Sequence, residues 1–198
     1  MTVFSLGNSL IAVKSSDTNH LIKSLNILDI HKDASKDAFK YFYENFSYKI
    51  PEDNLYKIIV SEKFQEWNLI YLSAGFEKIK KLIEYLIVEK SISANYYYGD
   101  SHTDTYEWII TNDSNIVRAF QYCMGEISCN EGLPLTLSEE KFINYTLANT
   151  IDTTTNIEFV FGEDALWDIL EKSCKIYNIE IIKALRFHCG YISMKQFN

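Results

Sequence analysis

The sequence predicts an α+β domain: a mostly antiparallel sheet with amphipathic helices packed on it. Three observations carry this. Strand-like segments come in adjacent runs and do not alternate one by one with helices, which argues against a doubly wound parallel fold. The stretch 94–122 is rich in β-formers broken by polar turns and reads as a meander. Residues 76–90 and a later segment around Leu166–Tyr177 carry apolar side chains at helical spacing. The 198 residues are 47% hydrophobic and 23% charged, with seven glycines and two prolines. That composition excludes disordered, collagen-like and membrane-spanning classes and suits one domain over 1–198, with 1–55 as a candidate N-terminal lobe.

Taken in order, residues 2–14 read as one or two short strands around Gly7-Asn8. Asp17 caps a short helix with Leu21, Ile22, Leu25 and Leu28 on its apolar face. Asp33 caps a second helix with Ala38, Phe42 and Phe46 on one face; Phe39, Tyr41 and Tyr43 make it apolar nearly all round, and Pro51 ends the unit. Leu55–Leu72 reads as a hairpin with strands at 57–60 and 67–71. The helix 76–90 sets Phe76, Ile79, Leu82, Ile83, Leu86 and Ile87 on one stripe. The meander has strands at 94–98, 105–111 and 116–122, with a polar tip at 99–104 and a turn at 112–115. A loop with Gly125, Gly132 and Pro134 follows, and the Thr136/Glu139 spacing is that of a capping box for a helix from about Ser138 to Ala148. Residues 149–156 read as a polar linker. After the Leu166–Tyr177 helix, the alternation of 179–187 predicts a final strand.

The net charge of −8 is unevenly placed. Residues 1–94 are neutral, 95–171 hold fourteen acids against Arg118 and Lys141, and 172–198 carry a net +4. A middle segment of −12 repels nucleic acid and anionic membrane surfaces and attracts basic partners. The N-terminus lacks a basic region and its apolar run is interrupted, so no secretory signal is expected. Cys123, Cys129, Cys174 and Cys189 match neither redox nor zinc spacing and read as core thiols of a cytoplasmic protein.

Asp100-Ser-His102-Thr-Asp104, with Glu107 nearby, offers alternating oxygen and nitrogen ligands, but the same residues suit a hairpin tip whose Asp and Ser side chains cap backbone amides. His20, His31 and His188 are scattered, and there is no nucleophile elbow, phosphate loop or dinucleotide glycine pattern. Glu139/Glu140 and Glu163/Asp164 are read at helix starts, where the dipole favours them. Of the meander rings Tyr96, Tyr97, Tyr98, Tyr106, Trp108 and Tyr122, alternation sends half to the core and leaves half to anchor an interface.

The order of Trp67-Asn-Leu-Ile-Tyr71, helix 76–90, Tyr98-Gly-Asp-Ser101, Tyr106-Glu-Trp-Ile109 and Ile116-Val-Arg118 resembles immunity-type and uncharacterised bacterial proteins of polymorphic-toxin and secretion loci, over about 65–177. The resemblance implies an immunity-type or uncharacterised protein and brings no catalytic residues with it; the −12 middle segment, the aromatic meander and the lack of a catalytic constellation point to a non-enzymatic binding protein. The expected function is docking of a basic protein partner, a toxin, through Asp100, Asp104, Glu107 and an exposed Tyr97, with no cofactor, metal, nucleic acid or membrane. The alternatives are a metal-dependent hydrolase on the Asp100–Asp104 loop, with His102 and a distant acid in a concave pocket, and a self-associating module using helix 33–46.

Overall fold

The structure is a computed structural model. It describes residues 9–33, 55–72, 74–100, 102–148, 157–176 and 187–197. In chain order these form β1 (Ser9–Lys14), α1 (Thr18–Ser24), β2 (Leu28–Asp33), β3 (Leu55–Ser61), β4 (Trp67–Leu72) and α2 (Phe76–Lys90). Then come β5 (Ala94–Asp100), β6 (Thr105–Thr111), β7 (Ile116–Cys123), β8 (Glu126–Glu131), α3 (Leu137–Ala148), α4 (Ile157–Cys174) and β9 (Phe187–Ser193), closed by a 3₁₀ turn, Met194–Phe197. The strands make one nine-stranded sheet in the order β2-β9-β3-β4-β1-β5-β6-β7-β8. Every pairing is antiparallel, so the fold is α+β, with β5 to β8 as the meander.

Helices cover both faces of the sheet. On one, α3 and α4 bury Leu10, Leu69, Tyr97, Tyr106, Trp108, Phe120 and Tyr122 against Phe142, Leu166 and Leu170. On the other, α1, α2 and the 3₁₀ turn bury Ile11, Ile70, Tyr96, Ile109 and Ala119. This is why β4 is buried at all six positions and reads as a continuous apolar run interrupted only by Asn68. Asn68 is buried but satisfied: its amide donates to Ser61 O and Thr18 Oγ1, both at 2.9 Å, and accepts from Ser15 Oγ at 2.6 Å. All six stripe residues of α2 are buried, each worth about 1.5–3 kcal/mol on transfer from water. The helix ends where Ser91 turns left-handed at φ 53° and the amides of Ser91 and Ile92 close on Ile87 O and Leu86 O. Asp17 caps α1 by accepting from the amides of Asn19 and His20.

A buried ion pair joins sheet to helix. Arg118 on β7 and Glu139 on α3 are both fully buried, with Arg118 Nε 2.6 Å from Glu139 Oε1. The same oxygen accepts from Trp108 Nε1 at 2.8 Å, and Oε2 accepts from the Leu135 amide at 2.6 Å. Arg118 Nη1 donates to Glu131 O at 2.7 Å, with Gly132 O at 3.4 Å. Half of the expected capping box forms: the Glu139 amide donates to Thr136 Oγ1, while the carboxylate reaches one residue further back, to Leu135.

Several expectations are corrected. Leu28 belongs to β2 and not to the α1 face, and Asp33 is the last residue of β2; the helix it is expected to cap, and Gly7-Asn8, lie outside the described residues. β8 replaces the loop expected after β7. Met124 (φ 49°) and Gly125 (φ 89°) give the two positive φ angles that a tight two-residue hairpin loop needs, and a bulge at Gln121/Tyr122 hides the alternation of β8. α4 begins at Ile157, nine residues before Leu166. The last strand is 187–193, so only Phe187 of the expected 179–187 strand lies in it; 179–186 lie outside the described residues, as does the linker 149–156.

Candidate protein-binding surface at one end of the sheet

The β5–β6 tip and the β7–β8 turn meet at one end of the sheet, where the Met124 amide donates to Asp104 O at 2.9 Å. Asp100 is turned inward and buried. Its carboxylate accepts from the His102 amide at 2.9 Å and from Thr103 Oγ1 at 3.0 Å, the bonding of an Asx-type turn. Asp104 sits at φ 46° and accepts from the Tyr122 hydroxyl at 2.8 Å. Its other carboxylate oxygen is buried with no partner among the described residues, and burial pushes the carboxyl above the usual range.

From the opposite layer α4 closes on this end. Gly162 faces the Tyr106 ring so closely that a Cβ there would lie 2.5 Å from it. Glu163 follows at the half-exposed position and Asp164 at an exposed one. Burial raises the proton affinity of Glu163, and Asp164 adds to it. Burial, and then Glu163, Asp104 and Asp100 in that order, push the Tyr106 phenol up. Acids from β5, the tip and α4 thus all act on the field at one tyrosine. Glu126, exposed, follows the β7–β8 turn at the same end.

The sequence-chosen residues divide. Asp100 and Asp104 belong to this end. Glu107 is buried on the other face, where it accepts from Tyr96 OH at 2.5 Å and Gln121 Nε2 at 2.8 Å, with burial raising its pKa. The expectation of an exposed Tyr97 is corrected: the ring is fully buried, and its hydroxyl meets Ser173 Oγ and lies 3.0 Å from Cys174 Sγ. Of the six meander rings only Tyr98 keeps partial exposure, because helices cover both faces. Glu163 and Glu126 were missed. Glu163/Asp164 are not at a helix start, since α4 begins six residues earlier, so the dipole does not account for them.

His102 uses its backbone amide in the turn and its side chain is exposed. Among the described residues no group of three or more His, Cys, Asp or Glu is placed to hold a metal ion. Among the described residues, which include all four cysteines, there is no disulfide. At the opposite end of the sheet a cleft of about 290 Å³ is lined by Lys14, Trp67, Asn95, Asp113 and Lys172. Its lysines are already engaged, Lys14 with Glu66 at 2.9 Å and Lys172 with Leu135 O at 2.5 Å. Among the described residues no helix is long and apolar enough to cross a membrane. No protein family, curated protein or solved structure matches the chain.

Proposed function

We propose that this is a cytoplasmic, non-enzymatic binding protein of the immunity type, which docks a basic protein partner, a toxin, on the acidic end of its sheet. The observation that carries the reading is the tie between the β5–β6 tip and the β7–β8 turn, which sets Asp104 and Glu126 at one end of the sheet, where the packing of Gly162 on the Tyr106 ring brings in Glu163 and Asp164. Burial destabilises the charged forms of Asp104 and Glu163. A lysine or arginine brought alongside relieves that cost, and the surrounding field speeds its arrival. Between residues 94 and 136 the only Lys or Arg is Arg118, which is buried. The exposed Met124, at 72% of its surface, offers an apolar contact beside the acids.

The reading moves the expected contacts. Tyr97 and Glu107 serve the interior, and the surface acids are Asp104, Glu126, Glu163 and Asp164. The test is co-purification with the product of the gene encoded beside this one. Wild-type protein retains that product, and the Glu163→Lys/Asp164→Lys variant releases it. No partner there, or retention unaffected by the reversals, would sink the proposal.

A further inference from the structure

Resting on that reading, we infer that the partner is held by strand addition: an extended, lysine- or arginine-bearing segment pairs with the outer edge of β8. β8 is the last strand of the sheet and is hydrogen-bonded only to β7, so among the described residues no strand pairs with its outer edge. Backbone donors and acceptors along such an edge template another chain. Four of its six residues are exposed, while Ile127 and Cys129 are half-buried, packed on opposite faces of the sheet.

The edge is held in place before any partner arrives. At its start the β7–β8 turn is tied to Asp104 O. In its middle Ser128 Oγ donates to the Gln121 side chain at 2.8 Å. At its end the Arg118 guanidinium holds Glu131 O and Gly132 O. A preordered edge loses little entropy on pairing, and six residues offer about 20 Å of it.

Charge selects the occupant. Glu131 is already bridged by Lys80 at 2.8 Å, whereas Glu126 is exposed and follows the turn that is tied to Asp104 O. Self-pairing does not supply the missing cation: antiparallel pairing of β8 with itself in the centred register sets Glu126 of each copy against Glu131 of the other, which Lys80 of its own copy already bridges. A basic segment supplies it. Bulges and charges on edge strands also serve to discourage pairing, and the experiment separates the two roles.

The probes are three ten-residue peptides added to the full-length protein: alternating lysine and valine, the same with glutamate for lysine, and the lysine peptide with every backbone amide N-methylated, so that neither of its edges can donate. Amide exchange along Glu126–Glu131 is followed by NMR. The expected result is at least tenfold slower exchange at the outward amides with the lysine peptide, no effect of the glutamate peptide, and at least tenfold weaker binding after methylation. Equal binding of the methylated peptide, or binding that perturbs 102–104 and 163–164 without protecting β8, overturns strand addition and leaves acidic docking standing. Outward amides already protected in the free protein overturn it too, because the edge is then covered. No binding of the lysine peptide overturns strand addition and counts against acidic docking as well.

Discussion

Replacing Glu139 by alanine leaves Arg118 as a fully buried, unpaired cation. In the native protein the Glu139 carboxylate accepts from Arg118 Nε, Trp108 Nε1 and the Leu135 amide, so three donors lose their acceptor at once. Breaking a buried pair from one side costs about 3–5 kcal/mol. Domains of ordinary stability have about 5–15 kcal/mol in total. At about 2–4 °C per kcal/mol for a chain of this length, a loss of about 4 kcal/mol lowers Tm by roughly 8–16 °C. The assay is paired urea and thermal unfolding of wild type, Glu139→Ala, Glu139→Leu, Arg118→Met and the double variant Arg118→Met/Glu139→Leu, with Glu139→Leu and Arg118→Met as the single arms of the cycle. The double variant removes the charge along with its partner, so it is less destabilised than the two single losses summed. Single losses below about 1 kcal/mol, or strict additivity, would refute the view that this pair fixes α3 on the sheet.

Three further outcomes follow from the packing. Burial raises the Glu107 pKa in the folded protein, so the fold binds that proton more tightly than the unfolded chain and loses stability as pH rises above the ordinary carboxyl range. Glu107→Gln removes this term: its stability relative to wild type improves from pH 4 to pH 7 in urea unfolding, and a pH-independent difference contradicts the assignment. Gly162→Ala gains about 1 kcal/mol of helix propensity but drives a methyl into the Tyr106 ring; overpacking of about 1–3 kcal/mol wins, and Tm falls. Tyr97→Phe loses the hydroxyl contacts to Ser173 and Cys174 and about 1 kcal/mol of stability, while partner retention is unchanged because the ring is internal. Weakened retention by a stably folded Tyr97→Phe would return that residue to the interface.

Local signals in the sequence sufficed where one element meets one neighbour. The α2 stripe, the Asp17 cap and the meander turns are all decided by residues within a few positions of one another, and they stand where the periodicity puts them. Burial on both faces is not local. Tyr97 looked available because alternation within β5 says only that neighbours point apart, not that a helix waits on each side. β8 escaped because its bulge breaks the two-residue period and because Met124, not Asn or Asp, opens the tight turn. The acidic end is half legible: Asp100 and Asp104 are four residues apart, but Glu163 comes to the Tyr106 end from about sixty residues away. The signal present in the sequence is Gly162 beside two acids, within a helix that starts at Ile157 and not at Glu163.

Docking driven by the acidic end is tested most directly by the association rate of this protein with the product of the gene beside it, measured across ionic strength. Electrostatic steering predicts a rate that falls at least tenfold between low and high salt. It also predicts that Glu126→Lys/Glu163→Lys/Asp164→Lys is slower than wild type at low salt and converges with it at high salt. A rate indifferent to salt, or identical in the two proteins at every salt concentration, would contradict the account.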